Sequence, residues 1–191
     1  DENGKYLYSK IRFVDKDMRF GRIVDGVYHA GRGDQQATLY NLPNTRKAIK
    51  DGFQVYIVEG EKDVETLKSL GLTACTAGGV SDWKKEYAPY FRGARVIVLP
   101  DNDEPGLKLN DSIMRDLKDY AYSIKSVITS EQKKGDVSDY ILEEKHTKED
   151  LKKLVDSAGC SFAPWLYDNG NGTMKPHANL LAETIQRTIP Y

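Results

Sequence analysis

In QVYIVEGEKDVETLKSL, residues 54–70, an apolar run ends on Glu59 and a charged, periodic run begins after Gly60. Gln54 to Val58 is short and rich in β-branched residues, the pattern of a strand buried on both faces. From Glu61 onward, Val64, Leu67 and Leu70 recur about one helical turn apart and Gly71 closes the run, so a helix follows the strand. A strand that stops on a carboxylate followed by glycine either makes a turn or presents that carboxylate to a ligand.

The same alternation continues downstream. LTACTAG (72–78), RVIVL (95–99) and SIKSVIT (123–129) read as further strands. A helical stretch is expected near SDWKKEYAPYF (81–91). Another carries Ile113, Met114, Leu117, Tyr120 and Ala121 on one face, and a third begins at about Val137. Short apolar strands alternating with amphipathic helices imply a mostly parallel sheet flanked by helices, with sites outside the carboxyl ends of the strands. Upstream, the first forty residues read as antiparallel strands: KYLYSKIRFV (5–14) is β-rich, and Asp25-Gly26 in RIVDGVYH (22–29) is a favoured two-residue hairpin turn. The fold expected is therefore α/β with a small antiparallel β-rich subdomain in front. Its parts are 1–50 (β-rich), 51–159 (the parallel sheet) and 160–191 (a linker and the start of a following region). Within the last part YDNGNGTMKP (167–176) is loop-like, and Ala178, Leu181, Ala182, Ile185 and Ile189 share one helical face.

Composition sets the bounds. With 191 residues, 39% apolar and 30% charged, the chain can bury a real core. No run approaches the roughly 20 apolar residues of a membrane span and no signal-peptide pattern is present, so the expectation is a cytoplasmic protein without a membrane partner. Beginning on Asp1, the chain reads as an excised fragment. Cys75 and Cys160 stand far apart, and with His29, His146 and His177 they form no zinc-ligand spacing; both thiols read as reduced and structural. Residues 1–50 hold ten Lys/Arg against six Asp/Glu and the remainder 18 against 23, a mildly basic front on an acidic body. That distribution suits a phosphate backbone on one part and cations on the other.

Three strand ends are acidic. Glu59 follows the first; PDNDEPG (100–106) brings Asp101 and Asp103 after the third; KGDVSDY (134–140) brings Asp136 and Asp139 after the fourth. Magnesium takes hard oxygen ligands, often one or two carboxylates with substrate phosphates supplying the rest, and a carboxylate cluster can hold two ions for phosphoryl displacement. Each acid also has a plainer reading. Asp103 is placed to cap a helix with Pro105 in its first turn, and Asp136 to cap the helix containing Tyr140 and Ile141. Lys62 and Asp63 read equally as solvated first-turn residues, and Trp83, Tyr87 and Tyr90 as core rather than a base-stacking platform.

Glu-Gly at a strand end, Asp-x-Asp in LPDNDEPG and the lysine-flanked Asp of KKGDVSDYI together resemble the Toprim domain of bacterial DnaG-type primases. YIVEGEKDVETLKSLGL and VIVLPDNDEPG are most similar to phage and plasmid primase-helicases. The resemblance spans roughly residues 5–145 and includes TLYNLP (38–43), while TMKPHANLLAETI (173–185) more loosely resembles the segment before the helicase part. It implies a Rossmann-like Toprim sheet and a DNA primase, a nucleotidyltransferase making RNA primers on single-stranded DNA during replication of a mobile element. By position, Glu59, Asp101 and Asp103 would be catalytic. The same three with Asp136 would bind Mg2+ or Mn2+, and Gly60 would allow a tight turn beside the metal. Lys62, Arg46, Lys84 and Lys85 are candidates for nucleotide or template phosphates. Implied partners are the single-stranded DNA template, ribonucleoside triphosphates and a replicative helicase domain on the same full-length chain. The family's upstream zinc-binding module has no counterpart in these residues, and no G-x-x-x-x-G-K-[ST] loop is present. Toprim domains also serve nucleases and topoisomerases, although no tyrosine stands out among twelve as a nucleophile. A third reading is an inactive Toprim module that binds nucleic acid or a helicase partner.

Overall fold

The computed structural model describes residues 1–14, 17–159, 166–168 and 174–176. The chain divides into two compact units, Asp1–Thr38 and Leu39–Tyr191.

The first unit is a three-stranded antiparallel sheet of β1 (Ser9–Arg12), β2 (Met18–Val24) and β3 (Val27–Ala30), in that order. Val24 pairs with Val27, leaving Asp25 and Gly26 as the two turn residues at φ 50° and 77°. Positive φ at both positions is the hairpin turn whose twist matches that of the strands, which is why Asp-Gly announces it. Gly21 has a different reason to be glycine: a Cβ there would fall 2.3 Å from a ring carbon of Tyr28, so the ring lies where a side chain would stand. Tyr8 meets Phe20 edge-on at 5.5 Å, and the Arg32 guanidinium lies 4.7 Å over the Phe20 ring.

The second unit carries a four-stranded, all-parallel sheet in the order β5-β4-β6-β7, with β4 at Gln54–Ile57, β5 at Ala74–Cys75, β6 at Arg95–Val98 and β7 at Ser123–Ser126. Alternate residues of each strand enter two separate cores. Val55, Ile57, Val96, Val98 and Ile124 pack with α1 (Leu42–Lys50), a 3₁₀ turn (Lys85–Phe91) and α3 (Glu104–Leu117). Tyr56, Val58, Ile97 and Leu99 pack with α2 (Glu61–Ser69), a π-helical turn (Asp139–Glu143) and α4 (Lys148–Ser157). Phe91, Leu67, Leu117 and Leu151 are wholly buried. Each such side chain contributes about 1.5–3 kcal/mol relative to exposure, so helices on both faces hold the strands in register. Cys75 is a free thiol in the first core, and burial pushes it up to about 12, which keeps it inert.

Three local expectations differ. The helix over 81–91 is a short 3₁₀ turn, because Pro89 lies inside it and lacks an amide hydrogen to donate. The helix from Val137 breaks: Lys145 adopts φ 60°, and α4 starts afresh with Thr147 and Asp150 capping one another reciprocally. The loop-like 167–176 stretch has short antiparallel strands, β8 (Leu166–Asp168) and β9 (Met174–Pro176), at its margins. Cys160 and the helical face at 178–189 lie outside the described residues. Among the described residues no helix is long and apolar enough to cross a membrane.

Candidate acidic site at the strand ends

β4, β6 and β7 are mutually parallel, so the residues after each carboxyl end emerge on one edge of the sheet. The ladder runs one step past the strands: the Leu99 amide donates to the Ile57 carbonyl at 3.0 Å and the Val127 amide to the Val98 carbonyl at 3.0 Å. Glu59 and Asp101 follow immediately, and the loop after Val127 returns to bring Asp136.

Glu59 is held from behind, where the Thr76 hydroxyl donates to its carbonyl at 2.5 Å. Its carboxylate Oε2 is buried and has no hydrogen-bond partner. Burial first, then the charges of Asp103, Asp63 and Asp136, raise its proton affinity above that of an ordinary glutamate. Asp101 is affected more: burial, then Glu59, Asp63, Asp136 and Asp103, push it up to about 8. Glu59 and Asp101 thus lie within electrostatic reach of one another and of Asp103 and Asp136.

Asp103 fills the capping role considered for it. Its Oδ1 accepts from the Gly106 amide at 2.9 Å and caps α3, leaving Oδ2 for another partner. Asp136 and Asp139 hold one another: Asp136 Oδ1 accepts from the Asp139 amide at 2.7 Å and Asp139 Oδ2 from the Asp136 amide at 3.1 Å. The remaining oxygen of each faces Lys62 Nζ at 3.4 Å. The loop before them is stapled to the Asp-x-Asp segment itself. Asn102 Nδ2 donates to the carbonyls of Ser130 and Gln132, its amide to the Gly135 carbonyl, and its carbonyl accepts from the Lys134 amide.

Asp63 is the residue that the sequence leaves evenly between a solvated first-turn place and a role in the site. It is 5% exposed and accepts from Ser138 Oγ at 2.6 Å, with Thr66 Oγ1 a further 2.9 Å from Ser138 Oγ. Burial raises its proton affinity although the Ser138 hydrogen bond opposes that. A signal was available: Asp63 precedes Val64 on the α2 turn that follows Glu59, one turn from the inward-facing Leu67. Gly60 does not have positive φ; it caps α2 with an extended backbone at φ −114°. What glycine provides there is room, since a Cβ would lie 3.2 Å from Asp63 Oδ2.

The other basic candidates lie on elements of the opposite face. Arg46, on α1, sits 5.9 Å over the Tyr90 ring, and Lys84 and Lys85 are exposed where the 3₁₀ turn begins. Tyr87 is core, and Trp83 and Tyr90 pack beside it; Trp83 Nε1 donates to Asp116 at 3.1 Å.

A hard divalent cation fits this donor set. The donors are carboxylate oxygens, Glu59 Oε2 is buried without a partner, and Asp103 retains an uncommitted oxygen. Among the described residues no three of these side chains converge as a coordination shell.

No family model and no curated protein matches the chain. Its fold does match solved structures. One is the Aquifex aeolicus primase with its zinc-binding and RNA polymerase domains, at TM-score 0.59 and 21% identity over 84% of this chain. A second belongs to the bacteriophage T7 assembly of lagging-strand DNA polymerase with primase domains of two gp4 subunits on an RNA/DNA hybrid and dTTP. It matches at TM-score 0.60 and 19% identity over 84% of this chain and 75% of its own. The RNA polymerase domain of Mycobacterium tuberculosis primase DnaG matches at TM-score 0.51 and 17% identity, over 96% of this chain and 63% of its own. The chain spans 39% of the Aquifex structure. The likeness is one of fold.

Proposed function

We propose that this chain is the polymerising core of a DnaG-type DNA primase from a mobile-element primase-helicase, its parallel sheet a Toprim domain. It joins ribonucleotides on single-stranded DNA in a reaction that depends on Mg2+ or Mn2+. One observation carries the reading: Glu59, Asp63, Asp101, Asp103 and Asp136 share one electrostatic cluster at the carboxyl edge of a sheet whose fold is that of primase cores.

In this reading Asp101, Asp103, Glu59 and Asp136 hold the cation. When bound, it supplies Lewis acidity, lowering the pKa of an attacking 3′-hydroxyl and neutralising the pyrophosphate that leaves. The chain's own residues prepare the site. Asp101 releases the proton it holds at neutral pH, and Asp63 and Ser138 tie α2 to the loop that carries Asp136. Glu59 serves as a ligand of the cation or, where it is left unligated, as the group that accepts or returns a proton at the reacting oxygen. Arg46, Lys84 and Lys85 contribute to nucleotide or template phosphates. Residues 160–191 lead toward a helicase-associated region.

Incubating the chain with labelled template, ribonucleotides and Mg2+ or Mn2+ tests this directly, with extension and cleavage scored separately. Extension that disappears in Glu59→Gln and Asp101→Asn is the expected result. Cleavage without extension points to a nuclease, and template binding without either to an inactive module.

The first unit is assigned to the template strand through Lys10, Arg12, Arg19 and Arg22. Arg19 also pairs with Asp17 at 2.7 Å, and binding is taken to neutralise about three phosphates. Affinity for single-stranded DNA is then expected to fall roughly 20-fold between about 50 and about 200 mM salt. A fluorescence titration at the two concentrations reads it. Salt-independent binding would instead point to base stacking.

A further inference from the structure

Lys62 is the second residue of α2, where the partial positive charge of the helix N-terminus disfavours a cation. Its side chain is 60% exposed, yet its ammonium lies 3.4 Å from Asp136 Oδ2 and 3.4 Å from Asp139 Oδ1. Those are the two oxygens that the reciprocal Asp136–Asp139 amide bonds leave over. The two aspartates are four-fifths buried, so their charges cannot be left wholly to water. Helix electrostatics therefore do not explain where this lysine points; the acidic loop does.

We propose that Lys62 is a built-in counter-ion: it holds the Asp136–Asp139 loop in the metal-free chain and yields Asp136 when a divalent cation loads, thereby setting the affinity of the site. The inference rests on the primase reading only in taking Asp136 as a metal ligand. Two features make displacement feasible. The contacts are long for charge-assisted hydrogen bonds, and the lysine end is in water, so little is lost when they part. The ammonium stays tethered to the first turn of α2 after release, close to the phosphates of any nucleotide that enters with the cation.

The sign of the effect separates this role from simple bracing. A brace holds the ligands in place, so its removal weakens metal binding. A competing counter-ion opposes the incoming charge, so its removal tightens binding. Lys62→Met keeps the length of the side chain without its charge, and Lys62→Arg keeps the charge. Mn2+ affinity is measured by the loss of the free-ion paramagnetic resonance signal, on wild type, both lysine variants and Asp101→Asn. Lys62→Met is expected to bind Mn2+ roughly 3- to 10-fold more tightly than wild type at low salt, the advantage shrinking as salt is added. Lys62→Arg should remain near wild type, and Asp101→Asn should bind far more weakly. Equal or weaker binding by Lys62→Met, with Asp101→Asn weakened as expected, overturns the counter-ion role and leaves the metal site standing. Absence of Mn2+ binding in all four proteins overturns both.

Discussion

Asp101→Asn is expected to leave the metal-free protein as stable as wild type or more so at pH 7, and to abolish most of the stabilisation that Mg2+ or Mn2+ confers. Burial and four neighbouring carboxylates push Asp101 up to about 8 in the fold, against an ordinary value of 3.8. Between about pH 4 and about pH 8 the unfolded chain therefore binds fewer protons at this position than the folded one, so stability falls as pH rises through that window. Below it both states are protonated and the contribution is complete; above it both are ionised and it has been lost. The carboxylate is half-buried, so solvent screening reduces the change to about 1–2 kcal/mol rather than the full shift. Asparagine cannot ionise, and the variant should lose this slope. A mere cap residue behaves differently: asparagine replaces it well, so neither a pH slope nor a metal response would be lost with it. For wild type, a cation at ten times its dissociation constant adds about 1.4 kcal/mol, and its affinity should rise with pH up to about 8 as Asp101 gives up its proton. Removing outer-shell partners of a metal ligand already costs about 10–100-fold in affinity or activity, so losing Asp101 should cost primer synthesis at least that much. Melting curves from pH 5 to 8, with and without metal, distinguish the outcomes. Equal metal-induced shifts in wild type and Asp101→Asn would remove Asp101 from the site. Asp103→Asn is the companion: asparagine also caps helices well, so its metal-free stability should barely change while its metal response falls.

What was legible in the sequence was what repeats. Residues 55–58 and 96–99 are uninterrupted hydrophobic runs because alternate residues enter two cores, and that continuity signals a strand covered on both faces. Glu59 and Asp101 stand just past such runs, at an edge that parallel topology makes common. Features set by long-range packing were not. Asp63 stands one turn before the inward-facing Leu67, but the partner that fixes its burial, Ser138, lies seventy-five positions away. Helix α1 was not announced, since Leu42, Thr45 and Ala48 acquire their inward face only from the sheet and the 3₁₀ turn beneath them. The break at Lys145 comes from the Thr147–Asp150 cap, a stronger start than the chain before it could extend through. Asp103 shows why a cap reading and a ligand reading need not compete: a carboxylate has two oxygens, and capping uses one.

Gly106→Ala is expected to destabilise the protein by about 1–3 kcal/mol, a fall of roughly 3–10 °C in Tm, and to lower primer synthesis on the order of 100-fold. In an ordinary helix the same change stabilises by about 0.5–1 kcal/mol, because alanine loses less backbone entropy than glycine. Here the sign reverses for a steric reason. A Cβ at Gly106 would fall 2.6 Å from the Asp101 carbonyl oxygen, 3.1 Å from its nitrogen and 3.2 Å from its carbonyl carbon. All three are backbone atoms, so no side chain can swing aside. Either α3 moves away from the strand end or Asp101 moves away from the cluster. Each movement also disturbs the bond from the Gly106 amide to Asp103 Oδ1, which joins the start of α3 to the second acid of the pair. A displacement well under 1 Å thus reaches both Asp101 and Asp103 through the main chain, without any change to a charged group. Gly60→Ala is the milder control, since its Cβ meets only the Asp63 carboxylate, at 3.2 Å. A melting curve and a Mn2+ titration on the two variants test the argument together. A Gly106→Ala protein that melts at or above wild type and binds Mn2+ unchanged would show that α3 does not hold Asp101 through this contact.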